Sequence, residues 1–238
     1  MICFLTSRTD IPETGELNPA NGFLEELRKV FPHDCRGLYI CSDPDSWDIM
    51  DYYASLTRES FRKEGFCFER FTTLDGRNTD DAEELVQDSD LILLAGGHVP
   101  TQNRFFQKIG LRRLMYGFDG IVIGISAGSM NSADIVYAHP EENGEATDPD
   151  YHRFLTGLGL TETMILPHYQ EVKDIWLDGL HVFRDIACPD SMGRIFYALP
   201  DGSYLFIDGE KEELRGEAYR VQDGVITQIS SDGEIIPL

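Results

Sequence analysis

The sequence predicts an α/β fold, a mainly parallel sheet sandwiched by helices and followed by C-terminal β-hairpins. Three observations lead there. Short apolar runs alternate with amphipathic helical stretches, the rhythm of βαβ units. Runs such as Leu91-Ile92-Leu93-Leu94 are apolar on successive residues, which suits strands covered on both faces. Glycine-bearing turns stand at strand ends, Gly96-Gly97 after one run and Gly124-Ile125-Ser126-Ala127-Gly128 after another.

In order along the chain, Ile2-Cys3-Phe4-Leu5-Thr6 reads as a buried first strand, and Thr9 to Gly22, with two prolines, as a loop. Phe23, Leu24, Leu27 and Val30-Phe31 recur at helical spacing, with charged residues between them. Gly37 to Cys41 is a second strand. Asp43-Pro44-Asp45 opens a helix that runs to about Lys63 and is stopped by Gly65. Phe66 to Phe71 is a third strand, Asp80 to Val86 a short acidic helix and Leu91 to Ala95 a fourth strand. Thr101 to Tyr116 is the next helix, and Ile121 to Ile125 the central strand. Ser129 to Val136 is a further helical candidate. His139 to Arg153 is acidic and aperiodic, hence a surface loop, and Met164 to Leu166 is a short strand. Val172 to Ile186 carries apolar residues at helical spacing. Strands are then expected at Ile195–Leu199, Ser203–Ile207, Ala218–Val221 and Val225–Ile229. Asp201-Gly202, Asp208-Gly209 and Asp223-Gly224 serve as hairpin turns between them. No repeat, linker or low-complexity stretch divides the 238 residues, so a single domain over 1–238 is expected.

Composition narrows the function. A formal net charge of −22 disfavours nucleic acid and anionic membranes, whose phosphates need the opposite field. Five cysteines without CxxC spacing (Cys3, Cys35, Cys41, Cys67 and Cys188) read as reduced and buried, and so as cytoplasmic. There is no signal-like segment and no apolar run of membrane-spanning length. Histidines and cysteines are not clustered in sequence, so structural zinc is not expected.

The chemistry centres on Gly124-Ile125-Ser126-Ala127-Gly128. A serine between two glycines, at a sharp strand-to-helix turn, has the layout of a nucleophile elbow. The glycines remove side chains that would collide with backbone, and the helix N-terminus beside Ser126 favours a developing oxyanion. The same short pattern also suits a turn that merely closes a buried strand. A serine hydroxyl needs a base, and the base needs an orienting acid. Of six histidines, His168 follows a strand directly, as Ser126 does, and Pro167 fixes its backbone approach. His181 falls within a helical pattern and reads as structural.

Four motifs in sequence order carry a family resemblance. They are Ala95-Gly96-Gly97, Gly124-Ile125-Ser126-Ala127-Gly128, Leu166-Pro167-His168-Tyr169 and Leu199-Pro200-Asp201-Gly202-Ser203. Over roughly residues 90 to 207 the chain resembles the serine peptidase family that contains dipeptidase E (aspartyl dipeptidase) and cyanophycinase. The resemblance implies a Rossmann-like fold of the class I glutamine amidotransferase type. It implies Ser126 as nucleophile, His168 as base and Asp201 as orienting acid, with the N–H groups of Gly97 and Ala127 as the oxyanion hole. Glu141, fifteen residues after the serine, is a second candidate for the acid. No metal or organic cofactor is implied, and the expected partner is a small peptide or amino-acid conjugate.

Two departures from the family pattern touch specificity. His98 stands where the family has asparagine after Gly-Gly, leaving Gln102 or Asn103 to supply an amide. Asn131, soon after the elbow, is a candidate to line the crevice. Arg104, Lys108 and Arg112 fall on one helix face and read as a solvated stripe, so aspartyl specificity is not carried over. Two other readings stay open. One is an inactive binding or regulatory domain of the same fold. The other is an esterase with the order Ser126, Asp148, His168. Glu141 to Asp150, with Gly144 inside, is a segment that would permit a lid.

Overall fold

The computed structural model describes residues 1–238. An eight-stranded sheet forms its centre. The strand order is Ile235–Pro237, Lys211–Arg215, Tyr204–Asp208, Ile2–Thr6, Ile121–Ile125, Leu91–Leu94, Cys35–Ile40 and Phe68–Leu74. The five strands from Ile2–Thr6 to Phe68–Leu74 are parallel, and the three on the other side are antiparallel. The α/β class with a mainly parallel sheet is therefore the observed one.

Side-chain alternation explains why these strands are apolar throughout. Cys3, Leu5, Ile92, Leu94 and Val122 pack on one face, against Phe105, Phe106, Leu111 and Met115 of the helical segments Val99–Lys108 and Leu111–Met115. Phe4, Leu91, Leu93, Ile121 and Ile123 pack on the other, against helix Phe23–Val30 and helix Trp47–Lys63. Both faces are dry, so no strand position in this block can be polar without cost.

A second sheet of four strands, ordered Met164–Leu166, Ile195–Ala198, Ala218–Gln222 and Val225–Ser230, stands beside the first. Its core includes Leu166, Phe196, Ala198 and Val221, and shares a cluster with Ala127 and Met130. That shared cluster holds the second sheet against the turn at Ser126. No helix is long and apolar enough to cross a membrane.

Several expectations are corrected. The helix expected at Thr101–Tyr116 is two helices, because Gly110 takes a left-handed conformation between them. Helix Ala127–Asn131 does not continue to Val136. Ile135-Val136-Tyr137, two β-branched residues and an aromatic, instead pair as a strand with Phe154–Thr156, the two strands flanking the expected loop His139–Arg153. The expected helix Val172–Ile186 is absent. Its Asp178-Gly179 forms a two-residue hairpin turn between Trp176–Leu177 and Leu180–His181, and a wide helical turn, Val182–Ala187, follows. Asp201-Gly202 is not a hairpin turn, since it carries the chain from the small sheet to the large one. Strands Lys211–Arg215 and Ile235–Pro237 were not expected. Of the cysteines, Cys3, Cys35 and Cys41 are buried, Cys188 is half-buried and Cys67 is exposed; all five are free.

Candidate active site

Parallel pairing brings the carboxyl ends of neighbouring strands to one edge, where α/β sheets bind ligands. Ser7 follows Ile2–Thr6, Ser126 follows Ile121–Ile125, and Gly96-Gly97 follow Leu91–Leu94 on three adjacent strands. His168 arrives from the end of Met164–Leu166 and Asp201 from the crossing between the two sheets.

The turn at Ser126 is sharp. Its backbone sits at φ 49° and ψ −109°, a conformation that costs a non-glycine residue about 1–3 kcal/mol. Hydrogen bonds hold it there. The Ser126 N–H donates to Thr6 O at 3.1 Å, and its carbonyl accepts from Ser129 and Met130 N–H at 2.9 and 3.1 Å. Ser129 Oγ donates to Thr6 O at 2.8 Å, and Thr6 Oγ1 donates to Gly124 O at 2.8 Å. Gly128 has no room for a side chain, because a Cβ there would overlap the Leu94 backbone.

His168 is also held at positive φ, 56°, and its carbonyl accepts from Glu171 and Val172 N–H, both at 2.9 Å. Its Nε2 lies 3.0 Å from Ser126 Oγ, and its Nδ1 lies 2.7 Å from Asp201 Oδ1. Ser7 completes the arrangement. Its Oγ donates to Asp201 Oδ1 at 2.7 Å and accepts from the His168 N–H at 2.7 Å. Asp201 N–H donates to Gln170 Oε1 at 3.0 Å, and Arg8 Nε stands 3.7 Å from Asp201 Oδ2. Desolvation opposes ionisation of Asp201. Hydrogen bonds from His168 and Ser7, with the charges of His168 and Arg8, outweigh it and hold the carboxyl below its ordinary range. A hydroxyl, an imidazole and an ionised carboxylate in this order can pass the hydroxyl proton to the imidazole and stabilise the resulting cation.

Gly97 is exposed at the site, with φ 149°, and its N–H meets no protein acceptor. A Cβ there would overlap Ser42. Ala127 opens its helix, where a first-turn N–H has no intrahelical acceptor. Gly96 packs directly beside Ser126, since a Cβ at Gly96 would lie 3.5 Å from the Ser126 Cβ. The two N–H groups belong to segments that meet at the serine.

Two cavities share Gly97, Ser126 and His168. One, of about 310 Å³, is walled by His139, Pro140, Glu141, Pro167, Val172, Ile175, Leu177 and Val182. The other, of about 400 Å³, carries Ser7, Arg8, Asp10, Ser42, Thr57 and Ser60 among its lining. Burial pushes the His139 imidazolium down, so that ring is neutral at neutral pH. Much of Glu141 is open to solvent, but its carboxyl is packed at the cavity wall. Desolvation pushes it up to about 7, against the opposing pull of His98 and the Val99 N–H.

The remaining candidates divide. Glu141 lines the cavity, but Asp201 holds the His168 Nδ1 position. Gln102 and Asn131 line neither of these cavities. Both are fully buried, in an amide network where Gln102 donates to Ala95 O at 2.7 Å and Asn131 donates to Gln102 Oε1 at 3.0 Å. Asn103 joins it by donating to Asn131 Oδ1 at 2.9 Å. These amides brace the turn from beneath. His98 is half-buried and does not line either cavity. Its Nδ1 lies 2.9 Å from Thr101 Oγ1 and its Nε2 2.9 Å from Glu145 Oε1. Asp148 is exposed and accepts from the Asp150 N–H, and it is Asp201 that meets the His168 ring. Arg104, Lys108 and Arg112 are exposed.

The 141–150 segment is pinned. Glu145 Oε2 accepts from Glu141 and Glu142 N–H at 2.9 Å each, and Asp178 accepts from Gly144 and Ala146 N–H. Folding does gather His98, Glu142 and Glu145 with potential ligand atoms within 4.8 Å of one another, a proximity invisible in the sequence. The His98–Glu145 contact and the capping role of Glu145 account for that grouping. Ser7 is the participant sequence reading missed. The available signal was its place directly after a strand that pairs with the Ser126 strand.

Known proteins match this chain at two levels. In overall structure the chain is similar to a proposed peptidase E protein from Listeria monocytogenes EGD-e, with a TM-score of 0.61 and 14% identity. That similarity covers 96% of this chain and 98% of the other, and at this identity it speaks to the fold. No curated protein matches the chain in sequence. The model of peptidase family S51 matches residues 3–215, from the first strand to the end of Lys211–Arg215. Over that span, which holds all the residues around Ser126 described above, the chain belongs to peptidase family S51 and is a serine-type peptidase.

Proposed function

We propose that this peptidase cleaves a peptide or isopeptide bond of a small substrate through Ser126, His168 and Asp201, by way of an acyl-enzyme. The observation that carries the reading is the relay from Ser126 Oγ to His168 Nε2 at 3.0 Å and from His168 Nδ1 to Asp201 Oδ1 at 2.7 Å. Ser126 Oγ attacks the scissile carbonyl as His168 takes its proton. His168 then gives that proton to the leaving amine. Water attacks the resulting ester with His168 again as base, and the acid product leaves. The N–H groups of Gly97 and Ala127 receive the oxyanion in both halves. Each such donor contributes about 3 kcal/mol to the transition state in comparable enzymes.

Asp201, ionised in the site, keeps the His168 ring in the tautomer that leaves Nε2 free to accept. The chain acts in this reading as one unit, without a cofactor, in the cytoplasm; its five unpaired cysteines support a reducing compartment. The test is hydrolysis of a dipeptide panel, including Asp-Xaa and isoaspartyl members, by the wild type and by Ser126→Ala. Release of amino acids by the wild type alone is expected. Turnover that survives in Ser126→Ala would remove the serine from the mechanism.

A further inference from the structure

The cavity beside Ser126 holds a carboxyl group that the proposed relay does not use. Glu141 shares that cavity with Gly97, Ser126 and His168, while Asp201 occupies the position at His168 Nδ1. The basic side chain nearest in sequence to the Gly97 turn, His98, is already engaged by Thr101 and Glu145. Around Glu141 the wall is apolar at Pro140, Pro167, Val172, Leu177 and Val182; its basic groups are the imidazoles of His168, the proposed base, and His139, which burial keeps from protonating, and neither lysine nor arginine lines it. An acidic side chain entering here would meet a carboxylate and no fixed cation. The second cavity has the opposite character. It is rich in hydroxyls and its cation is Arg8, with Asp10 as the other charged side chain.

A short peptide has charge order too. Its ammonium lies on the acyl side of the first peptide bond and its carboxylate on the leaving side. An ammonium beside Glu141 favours its ionised form, which attracts the first and repels the second, whereas Arg8, whose Nε stands 3.7 Å from Asp201 Oδ2, does the reverse. The acyl residue is thereby directed to the Glu141 cavity, and the leaving part to the Arg8 cavity. A volume of about 310 Å³ suits one residue with its side chain better than a long chain.

We propose that the substrate is a short peptide with a free amino terminus and an apolar first residue, whose ammonium Glu141 holds while the side chain fills the Pro167–Val172–Leu177–Val182 wall. This rests on Ser126 as nucleophile, so the test separates binding from turnover. Calorimetric titration of Ser126→Ala with Leu-Ala, N-acetyl-Leu-Ala and Asp-Ala reads binding alone. Leu-Ala is expected to bind roughly 10- to 100-fold more tightly than the other two, the range for a hydrogen bond to a charged group. Adding Glu141→Gln should bring Leu-Ala and its acetylated form close to equality. In the wild type, acetylation should lower kcat/KM by a similar factor, chiefly through KM.

Equal binding of the free and acetylated peptides, tighter binding of Asp-Ala, or no binding of Leu-Ala would each overturn the proposal. The acetylation comparison uses no Glu141 variant and does not depend on how that variant folds. Selective binding of Leu-Ala without wild-type hydrolysis would uphold the ammonium site and sink the proposed serine chemistry. Hydrolysis indifferent to acetylation would do the reverse.

Discussion

Ser7 Oγ donates to the same Asp201 oxygen that faces His168 Nδ1, at 2.7 Å, and is at once the acceptor for the His168 N–H. One hydroxyl therefore fixes both the carboxylate and the backbone of the histidine. Ser7→Ala is expected to lower kcat/KM roughly 10- to 100-fold, since it leaves partly buried polar groups without a partner. The rate profile against pH should shift as well, because Asp201 loses a bond that favours its ionised form. Steady-state kinetics from pH 5 to 9 check both.

Strain at Ser126 makes a stability prediction. At φ 49° and ψ −109° glycine is at ease and serine is not. Ser126→Gly is expected to abolish activity and to stabilise the fold by about 1 kcal/mol, after allowing for the extra freedom of unfolded glycine. For a domain of this size that is a rise of roughly 2–4 °C in Tm. Ser126→Ala keeps the strain and should show no such rise.

Asp201→Asn is expected to reduce kcat by about 10⁴-fold, the loss seen when a buried triad aspartate is neutralised. Asp148→Asn, an exposed change, should stay within roughly twofold of wild type. Asp201 also enters acid stability. Its folded pKa is depressed, so its contribution is present above the ordinary aspartate value and is lost as pH falls through the lower folded value. Acid unfolding of Asp201→Asn should lack that part of the pH dependence below about pH 4.

Glu141 has the opposite sign. Its folded carboxyl is raised to about 7, so the native state binds its proton more tightly than the unfolded state does. Ionisation of Glu141 therefore destabilises the fold progressively as pH climbs from the ordinary glutamate value to about 7, and the penalty stays above that. Glu141→Gln is expected to raise Tm at pH 8.5 and to have little effect at pH 4. Scanning calorimetry at the two pH values decides it, and equal shifts at both would contradict the assignment.

How far the sequence carried the structure follows from physical range. The parallel block was legible because burial on both faces leaves strands such as Leu91–Leu94 continuously apolar. The motifs that hold Ser126, His168 and Asp201 stood out because each is a short run beside a strand, and folding brings their side chains within hydrogen-bond distance of one another. The Val172–Ile186 segment misled because Trp176, Leu180 and Phe183 imitate a helical stripe, while the local Asp178-Gly179 turn decided the backbone. Lys211–Arg215 has little apolar periodicity and becomes a strand by pairing between Tyr204–Asp208 and Ile235–Pro237. Ser7 and the Gln102–Asn131 network are contacts between distant segments, and composition or spacing carries no record of those.

The first strand lies between Ile121–Ile125 and Tyr204–Asp208, and under the proposed mechanism that placement bears on when the peptidase can act. The relay draws on residues near both ends of the chain: Ser7 meets Asp201 across 194 positions. On the ribosome the amino-terminal strand emerges early and must wait for its antiparallel neighbour. A nascent chain cut off before residue 201 holds the serine and the histidine without the carboxylate. In the proposed mechanism the growing chain is therefore inert until residue 201 has been made and folded against the first strand.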